Sequence, residues 1–190
     1  MASTVCKKIV ILPGNGCTNI RRSNWYGWFA DEAKRLYPNV EVVCRDMPDP
    51  FVARESEWIP FIKDVIEVDP STIVVGHSSG AVCAMRLLES TQLLGVILVA
   101  SCHTDLGDEN ERASGYFDRD WEWDTIKSNA KSIIQFHSTD DPLIPVEEAQ
   151  FIAEKLASDH VQYFELNERS HFFEPFPELL ASLKSLLGNS

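Results

Sequence analysis

The chain has 190 residues, of which 44% are hydrophobic and 24% are charged, a composition typical of one globular domain spanning residues 1–190. Its formal net charge of −12 opposes binding to nucleic acid or to an anionic membrane, so neither is expected as a partner. Five scattered cysteines without a C-x-x-C pair argue against a disulfide framework and a zinc site, and no metal or cofactor is expected. With no apolar run of transmembrane length and no signal-peptide pattern, a cytoplasmic location is expected.

Apolar segments alternate along the chain with amphipathic segments, a pattern typical of a mostly parallel sheet covered by helices. Strands are predicted at residues 7–12, 40–45, 72–75, 93–100, 132–138 and 161–166. Helices are predicted at residues 25–36, 54–68, 81–88, 146–156 and 177–187. Pro60 is expected to kink the second helix. The sequence therefore predicts an α/β fold of about six strands, with helices on both faces of the sheet.

The segment 72–88 carries the most informative motif. A continuously apolar strand leads into Gly76-His-Ser-Ser-Gly80, and a helix of small and straight-chain residues follows. G-x-S-x-G between a strand and a helix is the nucleophile elbow, a tight turn in which side chains at the two glycine positions would collide. The motif predicts Ser78 as a nucleophile beside the N-terminus of a helix, where unpaired N–H groups support negative charge. The alternative is a Gly/Ser-rich turn without chemistry, because the five-residue pattern alone is common.

A serine nucleophile needs a base, and the base needs an acid that fixes its tautomer. In α/β-hydrolases these residues follow the serine in the order acid, histidine, on loops after later strands. His171 follows the last predicted strand and is the expected base. Asp140 and Asp141 both follow the preceding strand; the D-x-x-I-P spacing that begins at Asp141 favours Asp141, and Asp140 is expected to cap a turn. Structural or surface roles are expected for the other four histidines, His77, His103, His137 and His160.

The loop after the first strand, Pro13-Gly-Asn-Gly16, supplies a second backbone feature. Its glycines and asparagine let the chain turn sharply and direct N–H groups inward. No Gly-Lys-Ser/Thr follows, so it is not a phosphate-binding loop. The oxyanion hole is therefore expected to combine the N–H of Ser79 with an N–H of this loop, that of Asn15.

The segment 101–123 interrupts the alternation of strands and helices. Loops of this length commonly carry a function, but this one is too short for a full cap domain, so a partial lid along one wall of the substrate pocket is expected. Tyr116 and Phe117 of the segment, together with Trp25 and Phe172, are the expected substrate-binding residues. Its carboxylates are expected to favour a substrate that carries an amine: Asp105, Asp108, Glu109 and Glu111. The alternative places the aromatic side chains in the core and the carboxylates on a solvated rim.

Several stretches together carry a resemblance to a known family. They are Pro13-Gly-Asn-Gly16, Met47-Pro-Asp-Pro50, Ala53-Arg-Glu-Ser56, Gly76-His-Ser-Ser-Gly80, the segment 105–117 and Ser138-Thr-Asp-Asp-Pro142. On these stretches, which span nearly the whole chain, the sequence resembles the retinoblastoma-binding protein nine family of small serine hydrolases with the α/β-hydrolase fold. The resemblance implies that Ser78, Asp141 and His171 are catalytic and that small esters or aminoacyl amides are hydrolysed.

The same resemblance implies an association with retinoblastoma-type proteins through an L-x-C-x-E segment. The aligned residues here are Ile66-Glu-Val-Asp-Pro70, which lack the cysteine and the glutamate, so this partnership is not expected. Two functions from different classes follow from the sequence. One is a metal-independent serine hydrolase that forms an acyl-enzyme; the other is an interaction protein on a hydrolase scaffold with a vestigial triad. The presence of every triad position and of both oxyanion loops favours the hydrolase.

Overall fold

A parallel sheet of six strands forms the centre of the computed structural model, which describes residues 5–188. The strands lie in the order β2-β1-β3-β4-β5-β6, and all neighbouring strands are parallel. Their bounds are β1 (Lys8–Leu12), β2 (Glu41–Val43), β3 (Thr72–His77), β4 (Gly95–Val99), β5 (Ile133–Ser138) and β6 (Val161–Leu166). The predicted α/β fold of about six strands is confirmed. The ends of the predicted 1–190 domain, residues 1–4 and 189–190, lie outside the described residues.

Helices cover both faces of this sheet. Their bounds are α1 (Tyr26–Leu36), α2 (Glu55–Phe61), α3 (Ser79–Leu88), α4 (Glu109–Ala113), α5 (Trp123–Ser128), α6 (Val146–Leu156) and α7 (Pro177–Gly188). Side chains of α1 and α7 belong to one hydrophobic cluster, and side chains of α2, α3 and α6 belong to a second. Alternate residues of β1 enter the two clusters, Ile9 and Ile11 one of them and Val10 and Leu12 the other. The sheet is therefore buried between two helical layers, which explains why its central strands are apolar throughout.

The predicted helix 54–68 is divided at its proline. Helix α2 contains Pro60, and a π-helical turn, Ile62–Ile66, follows it directly. Proline removes a backbone donor and crowds the preceding turn, so the hydrogen-bond pattern changes at this point, as the expected kink implies. Among the described residues, no helix has both the length and the apolar character needed to cross a membrane.

The segment 101–123 contains the short helix α4 and adds no further domain to the sheet. The buried side chain of Arg86, in α3, attaches the second half of this segment to the rest of the fold. The guanidinium donates to the carbonyl oxygens of Tyr116, Arg119 and Asp120, and it lies 3.6 Å from the centre of the Trp121 ring. Part of the segment thus packs onto the helix that begins at the elbow.

The two glycines of the elbow allow the first turn of α3 to lie directly against the sheet. A Cβ atom at Gly80 would collide with the carbonyl oxygens of Leu12 and Pro13 at the end of β1. A Cβ atom at Gly76 would collide with the backbone of Gly80 itself. Both glycines are therefore required by backbone contact, as the sequence motif implies.

The change Gly80→Ala is expected to lower the free energy of unfolding by about 3 kcal/mol or more, because the fixed backbone of β1 has no room to move away. The matched control is Gly188→Ala, where an added Cβ meets no atom within 4 Å and the expected change is small. Urea unfolding of both variants measures the difference. Similar stabilities for the two variants would contradict the close approach of α3 to β1.

Candidate active site

Ser78 lies at the sharp junction between β3 and α3. Its backbone has φ 53° and ψ −122°, a strained conformation for a residue with a side chain. The strain is held by hydrogen bonds: the Ser78 N–H donates to the carbonyl of Val99 at 2.9 Å, and its carbonyl accepts from the N–H of Ala81 at 2.8 Å. The side chain is partly exposed and lines a pocket at the carboxyl edge of the sheet.

Asp141 and His171 form a buried hydrogen-bonded pair. Nδ1 of His171 lies 2.8 Å from Oδ2 of Asp141, and the two side chains are 4% and 0% exposed. Because a carboxylate only accepts, Nδ1 carries a proton, and in the neutral imidazole Nε2 is then the nitrogen with the lone pair. Burial acts to raise the pKa of Asp141, but the hydrogen bond from His171 and the N–H groups of Leu143 and Ile144 outweigh it and hold the pKa below its usual value. The Asp141 carboxylate is therefore ionised, and its hydrogen bond fixes the orientation of the His171 ring.

Asp140 stabilises the loop that carries His171 but makes no hydrogen bond to the imidazole. Its carboxylate accepts from the hydroxyl of Ser138 at 2.5 Å and from the N–H of Ser170 at 3.1 Å. The same Ser138 hydroxyl accepts from the N–H of Arg169 at 3.1 Å. Of the two neighbouring aspartates, the structure brings Asp141 to His171 and gives Asp140 a turn-stabilising position.

Asn15 and Ser79, the predicted donors of the oxyanion hole, line the same pocket as Ser78 and His171. The N–H of Asn15 donates to the hydroxyl of Ser79 over a long 3.4 Å, a weak bond that a stronger acceptor can replace. Ser79 is the first residue of α3, and among the described residues no acceptor is bonded to its N–H. Two backbone donors therefore lie beside Ser78 with little or no competing acceptor.

The pocket has a volume of about 450 Å³, and the first half of the segment 101–123 forms one of its walls. That wall consists of Cys102, Leu106, Asp108, Asn110 and Glu111, and Leu143 and Ile144 of the loop after Asp141 also line the pocket. The partial lid was predicted from the sequence, but these lining residues were not singled out for apolar contact. Two positions in the sequence could have indicated these lining residues: Cys102 lies just after β4, and Leu143 lies just after Asp141. The loops that follow β4 and β5 leave the same edge of the sheet.

The four predicted substrate-binding residues lie outside this pocket. Trp25, Tyr116 and Phe172 are each at most 1% exposed and pack in the two hydrophobic clusters. Phe117 packs edge-on against Trp121 and lines a separate surface groove. For Tyr116 and Phe117 the physical reason is the attachment by Arg86, which draws the second half of the segment onto α3. Trp25 and Phe172 belong to the hydrophobic cluster on the other face of the sheet. The alternative expectation, that the aromatic side chains of the segment are core, describes Tyr116, whereas Phe117 is only partly buried.

Glu111 places a carboxylate in the pocket wall. Its side chain is half-buried and accepts from the amide Nδ2 of Asn15 at 2.7 Å. Burial raises the pKa of Glu111, and the hydrogen bond from Asn15 only partly offsets that rise. Asp108, also at the pocket, accepts the N–H groups of Asn110 and Glu111 and so caps α4. Two acidic residues, Asp108 and Glu111, therefore line the pocket that also contains the predicted nucleophile.

Three of the other histidines have structural contacts, as predicted. Nε2 of His137 bonds to the carbonyl of Ile144 at 3.0 Å, and Nε2 of His160 bonds to the carbonyl of Lys127 at 2.9 Å. His103 contacts the carboxylate of Glu148, which packs the loop after β4 against α6. Within residues 5–188, no group of three or more His, Cys, Asp or Glu side chains is placed to hold a metal ion.

Substitution of the acid that orients His171 is expected to retain the fold and to favour the wrong imidazole tautomer. Asp141→Asn should therefore lower kcat roughly a thousandfold or more, and the matched change Asp140→Asn should lower it far less. Steady-state hydrolysis of an activated ester, with thermal unfolding as a check on folding, measures both. A larger loss of kcat for Asp140→Asn would show that Asp140, and not Asp141, orients His171.

Comparison with known proteins places the chain among hydrolases. Residues 9–183 match the family described as serine hydrolase. The chain is 45% identical over 181 residues to serine hydrolase RBBP9 of Rattus norvegicus, with 95% of each protein covered. This similarity extends over all elements that carry the pocket.

Solved structures share the fold at low sequence identity. The ydeN gene product of B. subtilis superposes with a TM-score of 0.82 at 23% identity, covering 96% of this chain and 99% of that one. Est1E of Butyrivibrio proteoclasticus with bound ferulic acid superposes with a TM-score of 0.72 at 12% identity, covering 98% and 89%. A monoacylglycerol lipase of Paleococcus ferrophilus superposes with a TM-score of 0.64 at 15% identity, covering 98% and 97%. These likenesses support the α/β-hydrolase fold.

Proposed function

We propose that this chain, which belongs to the serine hydrolase family that includes rat RBBP9, cleaves small esters or aminoacyl amides through an acyl-enzyme on Ser78. The observation that carries the proposal is the buried Asp141–His171 hydrogen bond at the pocket that also contains the strained Ser78. A pocket of about 450 Å³ is large enough for a small acyl group.

Acylation begins when Nε2 of His171 accepts the proton of the Ser78 hydroxyl. The serine Oγ forms a bond to the substrate carbonyl carbon, and the carbonyl π electrons move to oxygen. The N–H groups of Ser79 and Asn15 then donate to this oxyanion, and the weak bond from Asn15 to the Ser79 hydroxyl is exchanged for a stronger one. The ionised Asp141 stabilises the imidazolium that forms. Collapse of the intermediate breaks the bond to the leaving group, which takes the proton from Nε2.

Deacylation repeats these steps with water. Nε2 of His171 accepts a proton from water, whose oxygen attacks the acyl carbon and forms a second oxyanion at the same donors. Collapse breaks the bond to Ser78, and His171 returns the proton to Oγ. The products are the carboxylic acid and the restored enzyme, so each proton and each bond is accounted for by the substrate, water, Ser78 and His171.

Glu111 gives the pocket a preference for substrates that carry a protonated amine. Its carboxylate faces the same space as Ser78 and His171, and Asp108 adds a second carboxylate at the rim. A charge-assisted hydrogen bond from an ammonium group to a half-buried carboxylate is stronger than one to a neutral group. An α-amino group beside the scissile carbonyl therefore fits this wall, which supports aminoacyl esters and amides over simple acyl substrates.

Treatment with a fluorophosphonate is expected to label the protein once, on Ser78, because only the activated hydroxyl attacks the probe rapidly. Mass spectrometry of the digested protein should locate the adduct on the peptide that contains residues 76–80. Ser78→Ala is the control and should remain unlabelled. Labelling of Ser79, or no labelling of wild-type protein that is demonstrably folded, would contradict the proposal.

Glu111→Gln is expected to lower kcat/KM for an aminoacyl ester about tenfold or more while leaving kcat/KM for the matching ester without an amine nearly unchanged. The ratio of the two values measures amine preference. Because the pKa of Glu111 is raised, this preference should decline on acidification at a higher pH than an ordinary glutamate allows. The preference should also decline at alkaline pH, where the substrate amine loses its proton.

Glu109→Gln is the matched control, since this neighbouring glutamate is exposed and does not line the pocket. It removes the same charge from α4 and should leave the ratio unchanged. Equal effects of Glu109→Gln and Glu111→Gln would show that the overall negative charge of α4 attracts the amine. The specific role of Glu111 would then be rejected.

A further inference from the structure

His77 and Tyr26 form a buried hydrogen-bonded chain behind the pocket. The N–H of Gly14 donates to the Tyr26 hydroxyl at 2.9 Å, and that hydroxyl lies 2.6 Å from Nδ1 of His77. Nε2 of His77 lies 2.8 Å from the backbone carbonyl oxygen of His171. Tyr26 and His77 are 0% and 1% exposed. The chain therefore connects three segments of the pocket through the interior of the protein.

The position of every proton in this chain follows from its ends. The carbonyl of His171 only accepts, so Nε2 of His77 carries a proton and donates it. In the neutral ring Nδ1 is then an acceptor, and the Tyr26 O–H donates to it. The two acceptor sites of the Tyr26 oxygen take the N–H of Gly14 and, at 3.1 Å, the side-chain amide of Asn24.

The neutral state of His77 agrees with its surroundings. Burial, and to a lesser extent the neighbouring His171, lower the pKa of His77 to about 3. The ring stays neutral at the pH values where a serine hydrolase works, so the donor and acceptor directions do not reverse. Trp25 encloses both partners, with ring centres 4.8 Å from Tyr26 and 5.8 Å from His77.

The residues at the ends of the chain belong to the predicted catalytic machinery or adjoin it. Gly14 precedes Asn15, whose N–H is an expected oxyanion donor. His77 precedes Ser78, and its other bond is to the backbone of His171 itself. We propose that Tyr26 and His77 are positioning residues that align the oxyanion loop (residues 13–16) and the loop of His171 with Ser78; this inference rests on the proposed hydrolase function.

Two considerations separate this role from ordinary core packing. Misplacement of a reacting group by about 1 Å can cost 100-fold in rate, so bonds at both the oxyanion loop and the base loop affect catalysis directly. The polar atoms are fully buried, so loss of one partner leaves an unsatisfied group that shifts the loops attached to it. An apolar side chain at position 26 would fill the space but leave the N–H of Gly14 without its acceptor.

Tyr26→Phe is expected to lower kcat about tenfold or more while KM changes less than about threefold, because the loss appears when the oxyanion forms. Affinity for an alkyl boronic acid, whose adduct with Ser78 is tetrahedral, should fall by a similar factor. The matched control is Tyr116→Phe, which removes a hydroxyl from an equally buried tyrosine in the core. It should leave kcat and boronate affinity unchanged.

His77→Gln provides the second test, since its amide can still donate toward His171 but offers no acceptor at the Nδ1 position. The double variant Tyr26→Phe/His77→Gln should be little slower than Tyr26→Phe alone, because both changes break the same link. Losses that multiply in the double variant would reject a single chain. A Tyr26→Phe protein with lowered thermal stability but a kcat within twofold of wild type would overturn the proposal and leave a structural role.

A measurement independent of turnover separates this inference from the proposed function. Nitrogen NMR of the ¹⁵N-histidine-labelled wild-type protein should show His77 as the neutral Nε2–H tautomer down to about pH 4, with Nδ1 as acceptor. The opposite tautomer would overturn the chain. If wild-type protein shows this tautomer but neither turnover nor probe labelling, the hydrolase function fails while the hydrogen-bonded chain stands; the positioning role is then rejected with the function.

Discussion

The close contact between the first turn of α3 and the end of β1 is the constraint on which the active-site architecture depends. It exists because Gly80 has no side chain between the helix and the carbonyl oxygens of Leu12 and Pro13. This contact forces Ser78 into a positive φ, held by the bond of its N–H to Val99. It also brings Ser79, whose N–H has no acceptor among residues 5–188, beside the loop of Asn15. One backbone approach thus sets the positions of the nucleophile and of the expected oxyanion donors together.

The remaining parts reach this point because all strands are parallel and their carboxyl ends share one edge. The edge has two kinds of surface with different physical properties. The side that holds Asp141 and His171 is buried and hydrogen-bonded, so the orientations of these two side chains are fixed. The side formed by Leu106, Asp108 and Glu111 is more exposed and belongs to the segment 101–123. In the proposed function, the chemistry uses the buried side and substrate selection uses the segment 101–123.

The sequence predicted the parts of the site that depend on local motif and chain order. A buried strand before G-x-S-x-G placed Ser78, and the order of later loops placed His171 and favoured Asp141 over Asp140. The sequence did not predict which residues form the pocket wall. An aromatic residue in a charged loop gives the same local sequence pattern whether its side chain faces a substrate or the core. The buried Arg86 decided this outcome for Tyr116 by bonding to its carbonyl, a contact between residues 30 positions apart. Tyr26 likewise had no local signal, since its partner His77 lies 51 positions away.

A crystal structure of the protein after reaction with a fluorophosphonate tests the central claim most directly. The account predicts phosphorus bonded to Oγ of Ser78, with the phosphoryl oxygen about 2.7–3.1 Å from the N–H groups of Ser79 and Asn15. Nε2 of His171 should face the adduct, and the bond from its Nδ1 to Asp141 should be retained. An adduct on another residue, or a phosphoryl oxygen directed to solvent and away from both N–H groups, would contradict it.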